Sequence, residues 1–168
     1  MNRKQLEHIL RASGSIASTQ DLIVVGSQAI LGAFPDAPPE LLVSMEADVY
    51  PLHEPEKADL IDGSIGELSP FHEAFGYYAH GIGPETAILP RGWKARLIKL
   101  SNANTGGVTG WCLSPADLAI SKLIAGRAKD LQFVRAMLAA GLVARLAIVD
   151  LLGELPAAAA DTVKTRLD

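Results

Sequence analysis

The chain has 168 residues, a length that suits one folded domain and leaves little room for two catalytic ones. It is 49% hydrophobic and 20% charged with a net charge of −4, which excludes a disordered chain and any global basic field for coating nucleic acid. Its single cysteine, Cys112, excludes an internal disulfide and multi-cysteine zinc sites, and no apolar run reaches the roughly 18 residues of a membrane span. The segment Met1 to Leu10 begins with positive charge but lacks the apolar stretch and cleavage site of a signal peptide. A cytoplasmic, reducing setting is expected, with Cys112 as a small buried hydrophobe.

Leu6, Ile9 and Leu10 recur at helical spacing and predict a short amphipathic helix over Arg3 to Ala12, ended by Ser13-Gly14-Ser15 and lying as a lid on the core. Asp21 to Val25 is a short, partly β-branched apolar run ending in Gly26, the pattern of a buried strand that enters a tight turn. Ser27 is placed to cap a helix over Gln28 to Phe34, which the proline-rich segment Pro35 to Pro39 terminates. In Met45 to Tyr50, Glu46 and Asp48 alternate with Met45, Ala47 and Val49, so both carboxylates project from one face of a strand. Pro55 to Leu68 predicts a helix with Leu60, Ile61, Ile65 and Leu68 as its apolar stripe, despite Gly63 and Gly66. Tyr77 to Ile82, Ala95 to Leu100 and Val108 to Leu113 read as further strands between Gly, Pro and Asn clusters.

From Ser114-Pro115, a cap followed by a helix-favoured proline, the pattern turns helical. Leu118, Leu123 and Ile124 mark one helix, and Leu131 to Ala140, Leu142 to Leu152 and Ala157 to Leu167 mark three more, broken at Gly141 and at Gly153 to Pro156. The expected fold class is α/β (α+β), with an α/β core over residues 1–113 and a helical segment over 114–168 of the same domain.

The chemistry lies in two elements. Nucleotidyl transfer needs a divalent ion near the triphosphate, and Mg²⁺ (or Mn²⁺) is held by one or two carboxylates with substrate oxygens and water. Glu46 and Asp48, one residue apart on a strand face, meet that demand, and a pair of metals about 3.5 to 4 Å apart would suit shared ligation. Gly26 lets the backbone approach a phosphate, while Ser27 and the helix start behind it offer N–H and hydroxyl donors.

Val24-Val25-Gly26-Ser27-Gln28-Ala29-Ile30 and Glu46-Ala47-Asp48-Val49, in this order, resemble the motif of the nucleotidyltransferase (polymerase-β-like) superfamily. The segment Asp117 to Asp130, with Lys122, Arg127 and Asp130, is similar to one in bacterial AbiEii-like nucleotidyltransferases. The resemblance implies a small mixed sheet with flanking helices and a nucleoside triphosphate as substrate. It further implies Gly26 and Ser27 at the phosphates, Glu46 and Asp48 as metal-holding catalytic carboxylates, and Lys122 and Arg127 as cofactor-binding cations. An acceptor hydroxyl on RNA or protein, a toxin–antitoxin or phage-defence context and an antitoxin partner follow from the same likeness. Three departures accompany it: Glu46 stands where aspartate is usual, the gap from Ser27 to Glu46 is long, and no acid occurs in Arg96 to Leu100 to serve as the third carboxylate. Glu85 or Glu73 would then have to substitute.

Each feature also has a plainer reading. Glu46 and Asp48 suit a solvated strand face, and Lys122, Arg127 and Asp130 suit exposed helix faces with local pairing. His8, His53, His72 and His80 lack zinc-site spacing and suit surface or capping roles. Thr105 to Gly110 lacks the Gly-Lys-Ser/Thr ending of a phosphate loop and reads as a hairpin. Phe71, Phe75, Tyr77 and Tyr78 suit either a base-binding pocket or core. A catalytically silent fold serving as a binding partner is the competing function.

Overall fold

The computed structural model describes residues 1–168. Its centre is β1 (Asp21–Val25), whose Leu22, Ile23, Val24 and Val25 are all buried. A strand apolar on both faces belongs inside a sheet, and burying each such side chain is worth about 1.5–3 kcal/mol. β1 pairs antiparallel with β2 (Glu46–Pro51) and parallel with β5 (Thr109–Cys112). β3 (Tyr78–Gly81) joins β2 in parallel, and β4 (Ile98–Leu100) joins β5 antiparallel, giving one mixed sheet in the order β3-β2-β1-β5-β4.

α1 (Arg3–Ala17) packs on α3 (Ala58–Ile65) and against β1, β2 and β3. α4 (Pro70–Phe75) leads into β3, while α2 (Ile30–Ala33) packs against β4 and β5. α5 (Pro115–Ala125) packs on α2, α6 (Ala128–Ala139), α7 (Arg145–Val149) and α8 (Ala157–Leu167). One cluster of 39 buried apolar residues runs from Met1 to Leu167. No helix is long and apolar enough to cross a membrane.

Several elements differ from the sequence expectation for local reasons. α1 does not stop at Ser13-Gly14-Ser15: Ser13 and Gly14 are buried inside it, and a Cβ at Gly14 would strike the Val108 side chain. This glycine serves close packing, and Ser18, at φ 52, ends the helix instead. The region expected as one helix over Pro55 to Leu68 is a 3₁₀ turn, Pro55–Lys57, followed by α3. Its buried stripe is Ala58, Ile61 and Ile65, while Leu60 and Leu68 are exposed.

α4 is a helix beyond those expected: Ser69 caps it, accepting from the His72 N–H at 3.1 Å, and Gly76 closes it at φ 76. Of Ala95 to Leu100 only β4 is strand, since Trp93–Arg96 is 3₁₀. Of Leu142 to Leu152 only α7 is α-helical. The helix expected over Gln28 to Phe34 is a 3₁₀ turn, Ser27–Ala29, and the single turn of α2, and Ser27 makes no capping bond. Thr105 to Gly110 does lie in the β4–β5 hairpin.

Candidate active site

Gly26 ends β1 at φ 65, ψ −170, a conformation that side chains resist. Because β1 pairs with β2 so that Val25 lies opposite Asp48, the Asp48 carboxylate occupies the space where a Cβ on Gly26 would sit. The glycine is therefore required twice, by its backbone and by its neighbour. Ser27 follows, half-exposed, its hydroxyl in no hydrogen bond with the protein and bordering a cavity. With only a short 3₁₀ turn and α2 behind it, its donors are the hydroxyl and turn N–H groups rather than a long helix dipole.

The β2–β3 pair has one buried face, with Ala47, Val49 and Ala79, and one open face bearing Glu46, Asp48, Tyr78 and His80. Parallel register sets Glu46 beside Tyr78 and Asp48 beside His80. The Tyr78 hydroxyl donates to Glu46 Oε2 at 3.0 Å, and His80 Nδ1 lies 2.8 Å from Asp48 Oδ1. Glu46, Asp48 and His80 thus offer ligand atoms within 4.8 Å of one another. Burial pushes the Asp48 carboxyl above the ordinary carboxylate range; the His80 hydrogen bond opposes this and the Glu46 charge adds to it. Burial, with the hydrogen bond to Glu46, pushes the Tyr78 phenol up to about 12, so it stays a donor.

Opposite the carboxylates stand Lys122 on α5 and Asp130 on α6. Lys122 is buried, its Nζ 3.1 Å from Asp130 Oδ1 and 4.7 Å from the Phe133 ring centroid. Fully buried Asp130 also accepts from Arg127 Nε at 2.6 Å, Nη2 at 3.2 Å and the Arg127 backbone N–H at 3.3 Å. Burial raises the Asp130 pKa, but the bonds from Arg127 and Lys122 outweigh it and hold it below the usual value. Burial lowers the Lys122 pKa while Asp130 holds it up. Lys122 and Asp130 are not exposed helix decoration, whereas Arg127 keeps the exposed, locally paired character of the plainer reading. Arg127 alone is mostly open to solvent, with its side chain 63% exposed.

Two hollows meet here. One, about 410 Å³, adds His80, Ile82, Ile88 and Ile124; the other, about 800 Å³, adds Ser27, Phe133, Lys129 and Arg135. Both border on Gly26, Glu46, Asp48, Lys122 and Arg127. Every residue singled out from the motifs therefore lines this cleft. The substitutes considered for a third carboxylate do not: Glu85 and Glu73 border neither hollow, and β4 lies at the far edge of the sheet from β2.

His80 stands beside Asp48 instead: it is exposed, as expected of a surface histidine, but only the β2–β3 register discloses its neighbour. The aromatics divide. Phe71, Phe75 and Tyr77 cluster with His8, whose Nδ1 is 2.7 Å from the Tyr77 hydroxyl, and only Tyr78 reaches the carboxylates. Cys112 is fully buried, its thiol pushed up to about 12 by desolvation, so it is inert.

A mixed sheet whose first strand ends in a Gly-Ser turn beside a carboxylate pair on the next, with helices around it, is a nucleotidyltransferase-like α+β fold. Residues 4–163 match a family described as a nucleotidyltransferase of unknown function (DUF6036), and the chain belongs to that family. No curated protein and no solved structure matches it.

Proposed function

We propose that this protein binds a nucleoside triphosphate with Mg²⁺ or Mn²⁺ and transfers its nucleotidyl group to a hydroxyl on RNA or protein. The observation that carries this is the shared border of the two hollows, where Gly26, Glu46, Asp48, Lys122 and Arg127 stand together; in this reading one hollow takes the nucleotide and the other the acceptor. The donor set of Glu46, Asp48 and His80 fits a divalent ion. When bound there, such an ion would neutralise charge on the phosphates.

The chain's own residues do the rest. Ser27 and the turn N–H groups hold phosphate oxygens; Lys122 and Arg127 meet the charge that gathers on the leaving pyrophosphate. The acceptor oxygen bonds to the α-phosphorus as the α–β phosphoanhydride breaks and pyrophosphate leaves, and in this reading a carboxylate of the Glu46 and Asp48 pair takes the hydroxyl proton. The likeness of Asp117 to Asp130 to AbiEii-like proteins supports a cytoplasmic toxin–antitoxin or defence setting with an antitoxin partner. A second reading, a silent fold that binds a nucleotide or a partner without turnover, is favoured by one observation: β3 brings a histidine, not a carboxylate, beside Asp48.

Thermal-shift and calorimetric titration with ATP, GTP, CTP and UTP, with and without each metal, test the proposal on wild type and on Glu46→Ala/Asp48→Ala. Metal-dependent stabilisation lost in the double variant is expected, followed by label transfer from an α-phosphate-labelled triphosphate to RNA or protein. Binding without transfer selects the silent reading, and no shift with any nucleotide refutes the transferase and leaves a fold that binds a partner.

A further inference from the structure

We propose that His80 is itself a metal ligand, through Nδ1, and that the site therefore prefers Mn²⁺ and similar transition ions to Mg²⁺. The inference rests on the reading above that Glu46 and Asp48 hold a metal. His80 lies beside Asp48 in the β2–β3 register, on the open face, with its ring half-exposed to the cleft. Its Nδ1 is 2.8 Å from Asp48 Oδ1. Two neighbouring ligand atoms of an octahedral ion with bonds of about 2.0–2.2 Å stand about 2.8–3.1 Å apart, so this spacing is that of one octahedral edge as well as of a hydrogen bond. A Glu46 oxygen lies within 4.8 Å of both, close to the separation of about 4.0–4.4 Å between opposite ligand atoms of such an ion, so a small turn of the Glu46 side chain lets a single ion reach all three.

The surroundings support a ligand role. The Tyr78 hydroxyl holds Glu46 Oε2, as an outer partner that orients a ligating carboxylate does. The other histidines are engaged elsewhere: His8 with Tyr77, His72 with the Leu68 N–H, and His53 beside Asp21. Chemistry then decides the ion. Mg²⁺ takes oxygen donors and gives up water reluctantly, whereas an imidazole nitrogen raises affinity along the first transition row. A site of two carboxylates and one imidazole binds Mn²⁺ more tightly than an all-oxygen site of the same charge arrangement would.

Pulsed electron paramagnetic resonance of the full chain loaded with Mn²⁺ reads this directly, because a directly bound ¹⁴N nucleus modulates the echo. Modulation from one imidazole is expected, replaced by a ¹⁵N pattern when the histidines are ¹⁵N-labelled, and absent in His80→Gln. Calorimetry should show Mn²⁺ binding weakened in His80→Gln by at least the roughly 10-fold that loss of an outer partner costs. His80→Asp should lower the ratio of Mn²⁺ to Mg²⁺ affinity, with the apo melting temperature reporting that each variant folds. Mn²⁺ bound through Glu46 and Asp48 without nitrogen coupling overturns this inference alone and makes His80 a positioning partner of Asp48. Mn²⁺ binding that is absent, or indifferent to Glu46→Ala/Asp48→Ala, overturns this inference and the proposed function together.

Discussion

Replacing Gly26 with alanine attacks the site at the point where backbone and chemistry share one volume. At φ 65, ψ −170 a non-glycine residue costs about 1–3 kcal/mol, before any collision is counted. The new Cβ also meets the Asp48 carboxylate, which His80 holds on its other side and which must therefore turn away or push β2 aside. At about 2–4 °C per kcal/mol for a chain of this size, the backbone term alone lowers the melting temperature by about 2–12 °C. Gly63→Ala is the control, since Gly63 lies in α3 with nothing within 4 Å of its would-be Cβ, and it should gain about 0.4–1 kcal/mol. Calorimetric melting of Gly26→Ala, Asp48→Ala and the double variant isolates the clash, with a coupling of about 0.5–3 kcal/mol expected between the positions. A Gly26→Ala protein that melts like wild type and binds Mn²⁺ unchanged refutes the reasoning.

Two further predictions concern the buried charges. Asp130→Asn leaves the Lys122 ammonium buried without a counter-charge and should cost about 3–5 kcal/mol in chemical denaturation, most of it recovered by adding Lys122→Met; a loss below about 1 kcal/mol would show that Lys122 swings out to water. Asp48 has the opposite sign. Its folded pKa is raised above 3.8, so the fold holds its proton more tightly than the unfolded chain, and that stabilisation is present below 3.8 and lost as pH rises through the folded value. Asp48→Asn should therefore raise the melting temperature at neutral pH, with the gain vanishing in melts below pH 3.8; an unchanged or lower neutral melting temperature contradicts this.

The parts of this fold written in short-range chemistry were readable from the chain. β1 and β2 follow from an apolar run into glycine and from strict alternation, and α8 follows from alanine-rich helical composition between Pro156 and the end. The carboxylate pair, Gly26 and Ser27 needed no more than those two strands in order. What escaped depends on neighbours distant in sequence. Gly14 looks like a stop signal until Val108 is placed beside it. His80 is an ordinary strand histidine until the crossover through α3 and α4 lays β3 along β2 in parallel. Lys122 and Asp130 straddle the break at Gly126, so no single helix wheel shows that they meet in the interior. The helix signal at Ser69-Pro70, closed by Gly76, was legible, but it covers barely more than one turn.

The shared border between the two hollows has a thermodynamic consequence. Gly26, Glu46, Asp48, Lys122 and Arg127 line both hollows, so a charged occupant of either one would change the field that an occupant of the other meets. Linkage makes that influence equal in both directions: however much a guest in the smaller chamber tightens or loosens the hold on one in the larger, the reverse effect has the same size. Under the proposed function, a triphosphate and its acceptor would in this sense be each other's effectors.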